Sequence, residues 1–312
     1  MSVLSRANFA DLLDPAFRKI YSDADKELNY KYSQVFNVSN STKNLEKDSG
    51  ISGLMQMAEV GEGEAISVDS IYQGYDSTYT HKKFGRKVTI TEEMVDDDQY
   101  REVEKRAKGL ATSLNRTVEQ SGADVLNNAW TAGAGGKAAG FLTGGDGKAL
   151  FATDHPRLDG GTAQGNSTTA DLAEDSLETV LVAMRSTKDD RGELILVQPD
   201  TIVIPPALEK EAMILLNTQG RVGTANNDVN PYKGRLNVVV WDFLGSAAGG
   251  RDTAWFVLDK SMNPLNWFWR KHGTLERNVD FDTANIEYKL TSRWSNGFST
   301  WRGIYGSKGD NS

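Results

Sequence analysis

Apolar residues recur at a spacing of three and four along one stripe: Val103, Ala107, Leu110, Leu114, Val118 and Val125, with Ala111 and Leu126 beside them. The opposite face is Arg, Glu, Lys and Asn. This period predicts one amphipathic helix over about residues 92–130. Thr91 sits at the N-cap position and Glu92 and Glu93 fill the first turn, which suits both capping and the helix dipole. At full length such a helix spans roughly 55–60 Å. Gly109 and Gly122 are its weak points.

Residues 54–90, just before it, read as a long polar two-armed β-hairpin. The first arm carries Met55, Met57, Ile66 and Val68, with a bend at Gly61 and Gly63. The return arm alternates Tyr75, Ser77, Tyr79 and later Phe84, Arg86, Val88, Ile90. A two-stranded ribbon is marginal alone in water. Nothing nearby in sequence offers it a matching surface, so its simplest partner is another copy of the chain.

The remaining pattern is mixed. Phe9, Leu12, Leu13 and Phe17 suggest a short N-terminal helix, and Asp14-Pro15 would either break it or start the next one. Residues 38–50 are loop-like in composition. Residues 131–169 are rich in Gly, Ala, Ser and Thr and read as flexible loop. Helices are expected from Asp171 and over 207–217, and strands over 194–199, 201–206, 236–243 and 254–258. The tail beyond Asn263 reads as all β, through WFWR (267–270), IEYKLTSRW (286–294) and FSTWRGIYG (298–306). There is no repeat and no βαβ regularity, so the expected class is α+β.

Composition narrows the function. The chain has 312 residues, no cysteine and a formal net charge of −8. A phosphate-neutralising nucleic-acid grip needs clustered Lys and Arg, so that class is disfavoured, although an acidic wall would still let DNA slide along it. Thiolate catalysis, disulfides and cysteine metal sites are excluded. The N-terminus has no apolar signal-like region, and no apolar run reaches the ~18 residues of a membrane helix.

Candidate chemistry is sparse. GAGGKAAG (133–140) resembles a phosphate loop, but Lys137 precedes Ala138 rather than Ser or Thr, and the segment follows a helix. Lys148 fails likewise. His81, His155 and His272 lack metal-ligand spacing. Asp154 with His155 is the one basis for a cytosolic hydrolase. Asp96, Asp97 and Asp98 suit helix N-terminal charge better than a metal. Trp267, Phe268 and Trp269 read as strand packing ahead of a base-stacking platform. No catalytic, cofactor or metal residue is expected. The site candidates are contacts between subunits: Glu59, Glu62 and Glu64 on the first arm, Tyr75, Tyr79, Lys83, Arg86 and Lys87 on the return arm. The charges read equally well as a solvated ribbon face or as docking between subunits, where opposite charge would set register and partner choice.

The chain also resembles the major capsid proteins of tailed bacteriophages, closest to the Mu-like major head subunit group. The likeness is sharpest in KALFATDHPRLDGGTAQGNST (148–168) and ADLAEDSLETVLVAM (170–184). It continues through LILVQPDTIVIPPALEKEAMILLNT (194–218), NNDVNPYKGRLNVVVWDFL (226–244) and AWFVLDKSMNPL (254–265). The resemblance implies the Hong Kong 97-type capsid fold. Residues 1–50 would be an N-terminal arm, 51–90 an extended loop over a neighbour, and 91–169 a peripheral domain with the spine helix. Roughly 170–262 would be the axial domain, and 263–312 would return to the peripheral domain. It further implies a self-assembling icosahedral shell of pentamers and hexamers around phage double-stranded DNA, located in the virion and assembled in the host cytoplasm. No room for a scaffolding segment precedes the arm, so a separate scaffolding protein is expected, with a portal and a decoration protein as further partners. An encapsulin-like compartment around a cargo enzyme is the alternative within the fold. Deleting 54–88 is expected to leave a folded protein that forms no closed shells.

Overall fold

The computed structural model describes residues 6–91, 93–94, 100–133, 143–220, 229–280, 283 and 285–310. Two sheets and a long helix share one hydrophobic core. The first sheet has four strands, in the order β1 (Asn37–Asn40), β9 (Leu265–Val279), β10 (Ile286–Phe298) and β4 (Lys82–Ile90). The second has five: β5 (Ser167–Thr168), β11 (Ile304–Ser307), β8 (Trp255–Leu258), β6 (Thr201–Ile204) and β7 (Asn237–Val240). A separate ribbon pairs β2 (Leu45–Ile51) with β3 (Gln73–Thr80).

The expected spine is present as α3 (Tyr100–Asn127), 28 residues or roughly 42 Å. Met94 N–H donates to Thr91 Oγ1 at 3.4 Å, the bond of an N-cap. Glu92 and residues 95–99, Asp96, Asp97 and Asp98 among them, lie outside the described residues, as does most of 133–140. The helix buries Val103, Ala107, Leu110, Ala111, Val118, Val125 and Leu126, the stripe that its period marks out.

The core joins the sheets through tryptophans. Trp267, Trp269 and Trp294 of the first sheet pack in one cluster with Val203 and Phe256 of the second and with Trp241, which directly follows β7. The WFW run is therefore strand packing: Trp267 and Trp269 are buried, so the base-stacking reading fails. Trp267→Ala-type losses in such sites cost roughly 3–5 kcal/mol, which makes this cluster the main seam of the molecule.

Several sequence expectations are corrected. The first helix, α1 (Arg6–Glu27), runs through Pro15. An interior proline costs about 3 kcal/mol, but Phe17 stacks on Tyr288 at 3.8 Å and, with Tyr21, is tied into the core. Residues 38–50 contain β1 and β2, because main-chain ladders to β9 and β3 need no apolar side chains. The two ribbon arms are 45–51 and 73–80, and residues 54–72 form no strand. β4 leaves the ribbon and pairs with β10. Residues 194–199 hold only an isolated bridge at Leu194. Among the described residues one βαβ crossover occurs: β6 is joined to its parallel neighbour β7 through α5 (Glu209–Asn217), the helix that follows α4 (Glu174–Arg185). The tail divides: β9 and β10 build the first sheet, whereas β11 joins the second.

Candidate assembly surface

The ribbon carries a strap, residues 53–71, that projects without a ladder of its own. Its apolar side chains face solvent: Met57 is 102% exposed, Val68 95% and Ile66 80%. Scattered surface apolar residues are ordinary, but a contiguous run of them marks an interaction site. The tip turns at Gly61–Glu64, where Glu64 N–H donates to the Gly61 carbonyl at 3.1 Å and Gly63 takes φ +84°. Glu59, Glu62 and Glu64 are all exposed there.

The strap's neck is tightly built. Ser52 N–H donates to Tyr72 O at 3.0 Å, and Tyr72 N–H to Ser52 Oγ at 2.9 Å. Arg191 spans the neck with a two-pronged bond to Asp69, both contacts at 2.7 Å. It also donates to Ser70 O at 3.1 Å and Gly53 O at 3.3 Å. The Arg191 bonds, then the Met55 amide, hold the Asp69 carboxyl down at about 2.

The other candidates divide. Lys83, Arg86 and Lys87 are exposed on β4, an outer strand of its sheet. Basic residues on such an edge keep it from pairing at random. Lys87 already meets Glu287 at 2.5 Å on the adjacent strand. Tyr79 cannot be a surface contact: it is 1% exposed, its hydroxyl lies 2.8 Å from Ser299 Oγ, and burial pushes its phenol up to about 12. Tyr75 is half-buried in a cleft with Gly145, Asp146 and His155. His81, the residue just before β4, is buried between Ser41 and Ser295, and burial lowers its pKa.

The hydrolase geometry is not assembled. Asp154 pairs with Lys148 on the surface. His155 instead bonds Asp146 through Nδ1 at 2.7 Å and Asn166 through Nε2 at 3.2 Å, and stacks on Trp301 at 4.6 Å. Both ring nitrogens are engaged, so neither is free to take a proton from a nucleophile. Burial pushes the Asp146 carboxyl up, but the His155 bond and the Lys148 amide outweigh it and hold it below its ordinary value. His272 separately meets Asn40 at 2.9 Å. Among the described residues no group of three or more His, Asp or Glu is placed to hold a metal. No described helix is long and apolar enough to cross a membrane.

No curated protein sequence matches the chain. Solved structures do. A chain from Mycobacterium phage Patience is 11% identical with a TM-score of 0.57, covering 96% of this chain and 86% of that one. A chain from Mycobacterium phage Cain is 13% identical with a TM-score of 0.56, covering 91% and 92%. A chain of the mature capsid of bacteriophage PhiM1 is 14% identical with a TM-score of 0.54, covering 90% and 87%. At such identities the likeness is one of fold: these helices and sheets form an α+β capsid-protein fold. The model of the family described as phage capsid protein matches residues 74–307, three quarters of the sequence. The chain therefore belongs to the phage capsid protein family, whose role is structural rather than catalytic.

Proposed function

We propose that the chain is the major head subunit of a tailed phage, tiling an icosahedral shell around double-stranded DNA in a fold of the Hong Kong 97 type. The observation that carries this reading is the strap: apolar side chains held out in water by a structured neck, left uncovered by the described residues of their own subunit. Residues 1–50 act as the N-terminal arm. The four-stranded sheet and α3 form the peripheral domain, and the five-stranded sheet, including β11, forms the axial domain that gathers into pentamers and hexamers. The capsid of an empty GTA particle computed with C5 symmetry, with a TM-score of 0.53 to this chain, supports fivefold rings. A scaffolding protein, a portal and a decoration protein complete the assembly in the host cytoplasm. The net charge of −8 suits a wall that encloses DNA without gripping it.

The strap docks on a neighbouring copy, with Glu59, Glu62 and Glu64 facing the basic β4 edge at Lys83 and Arg86. Both sets are exposed and of opposite sign, so the contact sets register and encounter rate more than affinity. Carbodiimide cross-linking of particles mixed from ¹⁴N and ¹⁵N subunits tests it. Mixed-isotope cross-links between the 59–64 tip and Lys83 are expected; cross-links found only within single subunits would refute the docking.

A further inference from the structure

We propose that Arg191 is a positioning residue for assembly: by closing the neck on Asp69 it sets the direction in which the strap leaves the subunit. This inference rests on the strap being the assembly element.

Three observations carry it. The first is that Arg191 reaches the strap from a distant part of the chain. It bonds residues 53, 69 and 70, on both sides of the neck, and its guanidinium lies 5.8 Å from the Tyr72 ring centre. The second is that its own turn is closed by hydrogen bonds on both sides. Asp189 Oδ1 accepts the amides of Arg191 and Glu193 at 2.8 and 2.9 Å. Arg302 clamps the turn from beneath, donating to Lys188 O at 2.9 Å and to Asp190 at 3.0 Å. Arg302 lies over Trp301, which stacks on the buried His155. A continuous set of contacts thus runs from the molecule's interior to the strap's root.

The third observation is that the latch adds nothing to the core. None of Gly53, Asp69, Ser70 or Arg191 belongs to a hydrophobic cluster. Beyond the neck the strap has few bonds to hold it, so without the latch it would sample many directions. Each subunit would then lose that freedom on docking, and ordering opposes association. The fork of Arg191 matters as well as its charge, because a planar guanidinium meets both carboxylate oxygens at once and an ammonium does not.

The test uses the full chain and four variants: Arg191→Ala, Arg191→Lys, Asp69→Ala and the double exchange Asp69→Arg with Arg191→Asp. Two readouts separate the latch from the assembly reading. In the free subunit, the Met55 amide, which donates to Asp69 Oδ2 at 2.8 Å, should exchange hydrogen slowly in the parent and about tenfold faster or more in Arg191→Ala. Equal exchange would overturn the latch whatever the shells do. Under assembly conditions, both alanine variants should melt with the parent yet give about tenfold fewer closed shells. Arg191→Lys should recover little and the double exchange more. Parental shell yield from both alanine variants would overturn the positioning role. A parent that forms no shells would instead remove the assembly reading, and the exchange result would still decide whether the latch exists.

Discussion

Glu119 ties the N-terminal segment to the spine. From α3 its carboxylate accepts the backbone amides of Lys31 and Tyr32 at 2.7 and 3.3 Å, at the start of α2 (Tyr32–Val35). Burial is the largest influence and raises its pKa; the Tyr32 amide, the Trp241 indole and the Lys31 amide pull it down without cancelling that. A raised carboxyl pKa means the folded chain keeps a proton that the unfolded chain has released. Between the two values the folded state therefore loses stability as pH rises, and the cost of burying this carboxyl stays in place at every higher pH. Glu119→Gln retains an acceptor for both amides and removes the charge. Its melting temperature should exceed the parent's at pH 7, with the gap closing toward pH 4. A lower melting temperature at pH 7 would show that the charge itself is needed. Asp69 has the opposite sign: depressed to about 2, its pairing is fully present above the ordinary carboxylate range and is lost only as pH falls toward that value. Neither partner choice was legible in the sequence. Asp154 adjoins His155 in the chain, yet the fold supplies Asp146; Arg191 sits in a plain Asp-Asp-Arg-Gly turn, and nothing local to it points to Asp69.

At the scale of elements, two glycines in one helix make opposite predictions. Glycine within a helix costs about 1 kcal/mol relative to alanine. Gly109 has nothing within 4 Å of the position a Cβ would take, so Gly109→Ala should stabilise by about that amount. At Gly122 the same Cβ would stand 2.9 Å from the Trp241 ring and 3.3 Å from Tyr32 Cβ. Trp241 is fully buried and cannot give way, and overpacking of a closed core costs roughly 1–3 kcal/mol. Gly122→Ala should therefore lower stability in the same thermal melt. If both changes raised it, the close packing of α3 on Trp241 would be wrong. The helix itself was readable, because its period is written in side chains. The strands at 37–40 and 45–51 were not, because their pairing is carried by backbone groups common to every residue. Met55, Met57, Ile66 and Val68, assigned to a first hairpin arm, belong to the strap, which pairs with no strand among the described residues.

At the scale of the whole molecule, the strap and the body separate cleanly. The ends of the strap meet at the Ser52–Tyr72 bonds, so residues 54–71 can be replaced by a short flexible link without disturbing a strand. That variant should keep the parent's circular dichroism and melting behaviour while forming no closed shells. Deleting 54–88, which the hairpin reading treats as equivalent, should instead unfold the chain. It removes all of β3 and most of β4, including buried Tyr79 and the Phe84 ring stacked on Trp294 at 4.1 Å. The class, the spine, most strands of the second sheet and the family were legible from pattern and resemblance. The division of the tail between two sheets was not, because β11 is too short for its pattern to choose a neighbour and the choice is made by the β8 edge.

The most direct test of the account is electron microscopy of the purified chain, co-expressed with the genes beside its own. Closed shells of uniform size, or rings of five and six subunits, are the expected result. Discrete single subunits under every assembly condition, with a co-expressed scaffolding protein included, would contradict it.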